Sequence, residues 1–213
     1  MTRYAMCIDM QHCVACAACA MACKAEHGTP PGIWWTKVLV REAGVFPNTR
    51  RVNLPMQCMH CNNPPCCTVC PTGASYRSDK GYVVVDYDKC MGCKYCLLAC
   101  PYDVRYYVED IKPYYGDRGF TPYEEMMYKK HQKGVVEKCK FCPDRIAEGL
   151  EPACVSTCPA YCRHFGDLDD PKSEVSRLVS TEKFVPMMPE CGTEPSIFYR
   201  GLLPLDQLRS HAD

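Results

Sequence analysis

Cys90, Cys93, Cys96 and Cys100, followed by Pro101, have the spacing Cys-x2-Cys-x2-Cys-x3-Cys-Pro, which binds cubane iron–sulfur clusters. Three thiolates two residues apart let a tight loop wrap three corners of a cube. The fourth opens a helix and points away toward a neighbouring cluster. Gly92 removes a side chain where backbone must approach the sulfides. The chain repeats this block. Cys13, Cys16, Cys19 and Cys23 keep the spacing with Lys24 in place of proline. Cys58, Cys61, Cys66 and Cys70 widen the second gap by Asn62-Asn63-Pro64-Pro65, and Cys139, Cys142, Cys154 and Cys158 widen it further. All sixteen are candidate iron ligands for four 4Fe-4S clusters.

Two other chemistries compete for cysteine. A structural zinc site needs only two Cys pairs, so quartets ending in Cys-Pro favour iron–sulfur. Disulfide frameworks do not ordinarily repeat such a block within one chain. With 20 cysteines in 213 residues, the 47% hydrophobic content contains a thin apolar core, and inorganic clusters are expected to complete it. Lysine plus arginine balance aspartate plus glutamate at 25 each, which gives no pull toward nucleic acid. The chain has no dinucleotide, P-loop or zincin motif, and its six scattered histidines build no catalytic constellation. No residue is assigned a catalytic role, and the chain alone is expected to turn over no substrate. Residues 1–7 do not read as an export signal, Arg50-Arg51 reads as two surface arginines, and the apolar runs 82–85 and 201–205 are far too short to span a bilayer.

The quartets need elements to hold them. Strands are expected at Tyr4 to Ile8, Trp34 to Arg41 and Gly81 to Asp88, with helices after Cys19, at Glu124 to Gln132, at Asp144 to Gly149 and at about Ser173 to Leu178. Trp34 and Trp35 read either as a cover for a cluster, one ring inward and one outward, or as a partner-facing anchor. His60 reads as a partly exposed loop residue that could tune a cluster by hydrogen bonding. Lys94, Lys138 and Lys140 flank ligands, either raising local potentials or simply solvated. Cys7, Cys67, Cys162 and Cys191 fit no quartet and read as buried structural thiols.

Only 19 residues separate Cys70 from Cys90, which makes the second and third quartets partners in one two-cluster unit. The first and fourth must then pair around it. The fold class is therefore α+β: two ferredoxin-like units of two 4Fe-4S clusters each, one nested in the other. Residues 1–57 with 139–170 form the outer unit and 58–101 the inner one. Residues 102–138 are a tyrosine-rich insertion, a surface excursion or an interface. Residues 171–213 are a tail wrapping the outside. Such a chain is an electron wire. It serves either as a subunit of a larger oxidoreductase or as a free soluble polyferredoxin for a hydrogenase or formate-linked system.

Four quartets in this order resemble the iron–sulfur electron-transfer subunit of the molybdopterin (molybdenum or tungsten) oxidoreductases, the dimethyl-sulfoxide-reductase superfamily. The resemblance is carried by Arg3-Tyr4-Ala5-Met6, Cys70-Pro71-Thr72-Gly73-Ala74-Ser75-Tyr76, Cys100-Pro101-Tyr102-Asp103 and Phe165-Gly166-Asp167-Leu168-Asp169-Asp170-Pro171. Polysulfide, tetrathionate and respiratory arsenate reductases are the most similar. It implies crossed ligation: Cys13, Cys16, Cys19 with Cys158; Cys139, Cys142, Cys154 with Cys23; Cys58, Cys61, Cys66 with Cys100; and Cys90, Cys93, Cys96 with Cys70. It also implies a molybdopterin catalytic partner, a quinone-linked membrane subunit or other redox partner, and export with the catalytic subunit to the periplasm or the outer face of the cytoplasmic membrane, a cytoplasmic home being the alternative.

Overall fold

The computed structural model describes residues 2–181 and 183–202. In chain order these form β1 (Tyr4–Asp9), α1 (Ala18–His27), β2 (Thr36–Val45), β3 (Asn48–Gln57), α2 (Pro65–Thr68), β4 (Ser75–Arg77), β5 (Val83–Val85), α3 (Tyr95–Leu98), β6 (Tyr106–Tyr107), α4 (Pro122–Met127), β7 (Val136–Glu137), α5 (Pro143–Ala147), α6 (Ala153–Ser156), β8 (Arg163–Asp167), α7 (Glu174–Thr181), β9 (Val185–Pro186) and β10 (Ile197–Arg200). Part of the 201–205 run and the rest of the tail lie outside the described residues.

One sheet ties the chain's distant segments together. Its order is β8-β1-β10-β9, with β1 antiparallel to β8 and parallel to β10. Side chains alternate across β1. Met6 and Ile8 enter the main core with Ile197 and Tyr199 of β10, while Ala5 and Cys7 meet Val175 and Leu178 of α7 and Phe184. The expectation of a tail wrapping the outside is corrected here. Residues 197–200 are an inner strand, Ile197 and Tyr199 are wholly buried, and the Tyr199 hydroxyl donates to the Pro55 carbonyl at 2.9 Å. Alternating apolar residues in a four-residue run bury where two faces are already covered, and this strand is covered by β1, α7 and the β2–β3 hairpin.

The other strands are two-stranded: β2 with β3, β4 with β5, and β6 with β7. Each delivers the chain into or out of a cysteine loop. Helix length follows the residue after the fourth cysteine. Pro71, Pro101 and Pro159 follow α2, α3 and α6, all four residues long, whereas Lys24 lets α1 run ten residues to His27.

The insertion docks on the end of α1. Tyr123 donates to the Ala25 carbonyl at 2.5 Å and Tyr114 to the Thr29 carbonyl at 3.3 Å. α4 begins with a Thr121–Glu124 capping box. His131 reaches back with both ring nitrogens, Nδ1 to the buried Glu137 carboxylate at 2.7 Å and Nε2 to the His27 carbonyl at 2.8 Å. Of the tryptophans, Trp35 is the inward ring, packed at a tilt against His27 and His131. Trp34 stays half-exposed, with the Lys24 ammonium 4.4 Å from its ring centre.

Candidate iron–sulfur site

All four cysteine loops share one backbone device. The residue before the second cysteine is left-handed in each: Ala15 (φ 55°), His60 (φ 45°), Gly92 (φ 72°) and Phe141 (φ 63°). Three of them are not glycine and carry about 1–2 kcal/mol of strain each. Left-handed residues set among right-handed ones gather successive N–H groups into a concavity that binds anions, as at many iron–sulfur sites. Ala15 and Phe141 donate their own N–H groups to the sulfurs of Cys13 and Cys139. Gly92 has a further reason to be glycine, since a Cβ there would run into the Gly134 carbonyl oxygen.

The thiols gather across quartets. Cys13, Cys16, Cys19 and Cys158 line one hollow, and Cys70, Cys90, Cys93 and Cys96 line another. Cys23 lies within electrostatic reach of Cys142, Cys154 and Cys139. Cys61 and Cys100 lie within reach of Cys58 and Cys66. Of the quartet thiols in each gathering, three come from one quartet and the fourth from its partner quartet. Among the described residues no three His, Cys, Asp or Glu side chains converge as a single ion requires. These thiols line walls instead.

The donor set suits a cationic iron core. Burial pushes the Cys139 thiol well above its usual range, with the Cys23, Cys154 and Cys142 thiols adding to it. Burial likewise lifts Cys61 and Cys142 to about 12. Thiols so placed ionise when metal supplies the opposite charge, so metal binding releases their protons. Thr36 and Thr193 lie beside Cys23 and Cys61, and His27 Nε2 lies 3.2 Å from the Cys142 sulfur.

Two pairs of gatherings lie within electrostatic reach of one another. Cys154 of the second interacts with Cys19 of the first, and Cys96 of the fourth with Cys66 of the third. Between the second and third lie the left-handed residues of two loops, with the rings of His60 and Phe141 stacked at 3.8 Å. His60 is thus fully buried rather than partly exposed. Burial holds it well below the usual histidine range, and its Nδ1 accepts the Val83 N–H at 3.2 Å.

Lys138 is also buried and donates to the Val83 and Cys139 carbonyls. Lys140 lies over Trp35 and Tyr87, and Lys94 over Tyr107. Of the spare cysteines, Cys7 and Cys162 are buried as expected, Cys67 is half-buried beside Cys66, and Cys191 is exposed. Cys162 lines the first hollow, 3.5 Å from the Cys158 sulfur. Motif spacing did not single out two buried arginines, Arg105 and Arg163, which reach these thiols. A signal existed, since each stands five residues after a Cys-x3-Cys-Pro cysteine.

A mixed α/β chain with these loops defines a ferredoxin-type iron–sulfur protein. Residues 50–115 and 117–168 match the 4Fe-4S dicluster domain family. The chain is 36% identical to the arsenate respiratory reductase iron–sulfur subunit of Shewanella sp., over 92% of this chain and 95% of the relative. It is 40% identical to the thiosulfate reductase electron transfer subunit of Salmonella typhi, over 85% and 83%. It is also 36% identical to a chain of the polysulfide reductase of Wolinella succinogenes, over 92% and 93%. The chain thus belongs to the iron–sulfur electron-transfer subunits of the molybdopterin oxidoreductases.

Proposed function

We propose that the chain carries electrons through four 4Fe-4S clusters between a molybdopterin catalytic subunit and a quinone-linked membrane subunit or other redox partner. The sixteen cysteines hold the clusters in the four crossed sets, and the two ferredoxin-like units are nested. The observation that carries this reading is the gathering of each fourth thiol with the opposite quartet, on loops that repeat one left-handed residue.

Iron–sulfur clusters take up and release single electrons, at potentials set by charge, hydrogen bonds and burial. The chain's part is to fix their order and surroundings. The Cys154–Cys19, His60–Phe141 and Cys96–Cys66 contacts favour an arrangement of the sites in one row. The β1–β8 pairing joins residues 4–8 to 163–167, which supports an outer unit closed around an inner one. Among the described residues no helix is long and apolar enough to cross a membrane; this reading gives contact with quinone to a separate subunit. Location on the outer face of the cytoplasmic membrane follows from export with the catalytic subunit.

Affinity purification under anaerobic conditions tests the reading. It predicts about sixteen iron atoms per chain, no zinc, and a co-purifying large subunit that carries molybdopterin. A fully iron-loaded chain that never enters a complex would favour the free polyferredoxin.

A further inference from the structure

Arg105 and Arg163 occupy equivalent places in the two halves of the row. They close the runs Cys100-Pro101-Tyr102-Asp103-Val104-Arg105 and Cys158-Pro159-Ala160-Tyr161-Cys162-Arg163. The backbones match as well: Asp103 (φ 49°) and Tyr161 (φ 48°), each three residues after the cysteine, are left-handed. A strand then begins, at Tyr106 in one run and at Arg163 itself in the other.

Both side chains are buried, yet among the described residues no ion pair includes either. Arg105 Nη1 donates to the Ser75 hydroxyl at 2.8 Å, and Arg163 Nη1 to the Gln57 side-chain oxygen at 3.3 Å. In both, Nη2 is buried without a hydrogen-bond partner. What surrounds each guanidinium is sulfur from two gatherings. Arg163 lines the first hollow beside Cys19 and lies within electrostatic reach of Cys154, with its Nη1 also 3.6 Å from the Met6 sulfur, while Arg105 lies within reach of Cys66, Cys96 and Cys58. Burial by itself lowers both arginine pKa values, but the thiols outweigh it and the net direction is upward.

A buried cation without an anion is strongly destabilising. A core held by four thiolates carries net negative charge, and one further unit when reduced. It therefore supplies the missing anion. A fixed cation beside it favours the reduced form and raises the potential.

We propose that Arg163 and Arg105 are potential-setting residues, each bridging the two cluster sites of one half of the row through its unpartnered Nη2 and its contacts to both sets of thiols. The inference rests on the crossed cluster sets proposed above. Each arginine acts on two sites at once, so the four potentials move in pairs.

The test is redox titration by EPR, with iron analysis, of the full chain in its complex carrying Arg163→Met, Arg163→Lys or Arg105→Met. Arg163→Met is expected to lower two of the four midpoint potentials and leave the other two unchanged. Arg105→Met is expected to lower the complementary two, and Arg163→Lys to shift the same pair as Arg163→Met by less. Full iron content with unmoved potentials, or an equal fall of all four from either variant, overturns the proposal. If Arg163→Met loses iron, Arg163→Lys decides: retained iron supports the charge role, and equal loss overturns it. A wild-type chain with fewer than four cluster signals refutes the cluster sets themselves, whatever the arginine variants do.

Discussion

Shortening Ile197 to alanine and removing the Tyr199 hydroxyl test whether the tail is structural core. Ile197 is wholly buried between β1 and the main core, so Ile197→Ala loses transfer energy and leaves a cavity, about 2–5 kcal/mol together. Tyr199→Phe removes the donor to the Pro55 carbonyl, and the hydroxyl's neighbours Met56 and Met59 are too weak as acceptors to matter. A buried acceptor left unpaired costs about 1–3 kcal/mol. For a chain of this size each kcal/mol moves the thermal midpoint by about 2–4 °C, so the alanine variant should fall by about 4–20 °C and the phenylalanine variant by about 2–12 °C. The assay is loss of cluster absorbance on anaerobic heating, all variants at one scan rate because cofactor loss makes unfolding irreversible. Surface substitutions stay within about 0.5 kcal/mol. If both variants melt within about 2 °C of wild type, β10 is not an inner strand and the sheet order is wrong.

Other expectations follow from the same packing. Trp35→Ala should cost about 3–5 kcal/mol, because the ring is buried against His27 and His131, while Trp34→Ala should barely move the melting midpoint; equal effects would contradict the inward assignment of Trp35. Cys162→Ser and Cys67→Ser should keep full iron content, since the gatherings beside them already have four thiols without them; iron analysis of the anaerobically purified variants checks this. His131→Ala leaves the buried Glu137 carboxylate unpaired and should destabilise by about 3–5 kcal/mol, read by the same melting assay, whereas a loss under about 1 kcal/mol would mean that the insertion is not anchored there.

The parts legible in the sequence are those that local spacing encodes. Quartet spacing located the loops, β-type runs located β5 and part of β2, the strand expected at Tyr4 to Ile8 is β1, and Glu174–Thr181 fell where a polar helix was expected. Long-range pairing was not legible. Ile197–Arg200 looks like any short apolar run, and only β1, far away in the chain, makes it an inner strand. His60 looks like an exposed loop residue because its burial comes from Phe141, in another quartet's loop. The arginines escaped for a different reason. A charged residue near a motif normally reads as solvated, and only the repeated five-residue offset sets Arg105 and Arg163 apart.

The central claim is that four clusters are held by crossed sets of cysteines. Redox-titrated EPR on Cys16→Ser, Cys158→Ser, Cys23→Ser and Cys142→Ser tests it most directly. Crossed ligation predicts that Cys158→Ser perturbs the same signal as Cys16→Ser, and Cys23→Ser the same signal as Cys142→Ser. If Cys158→Ser shares its altered signal with Cys142→Ser instead, each quartet binds its own cluster and the crossed sets are wrong.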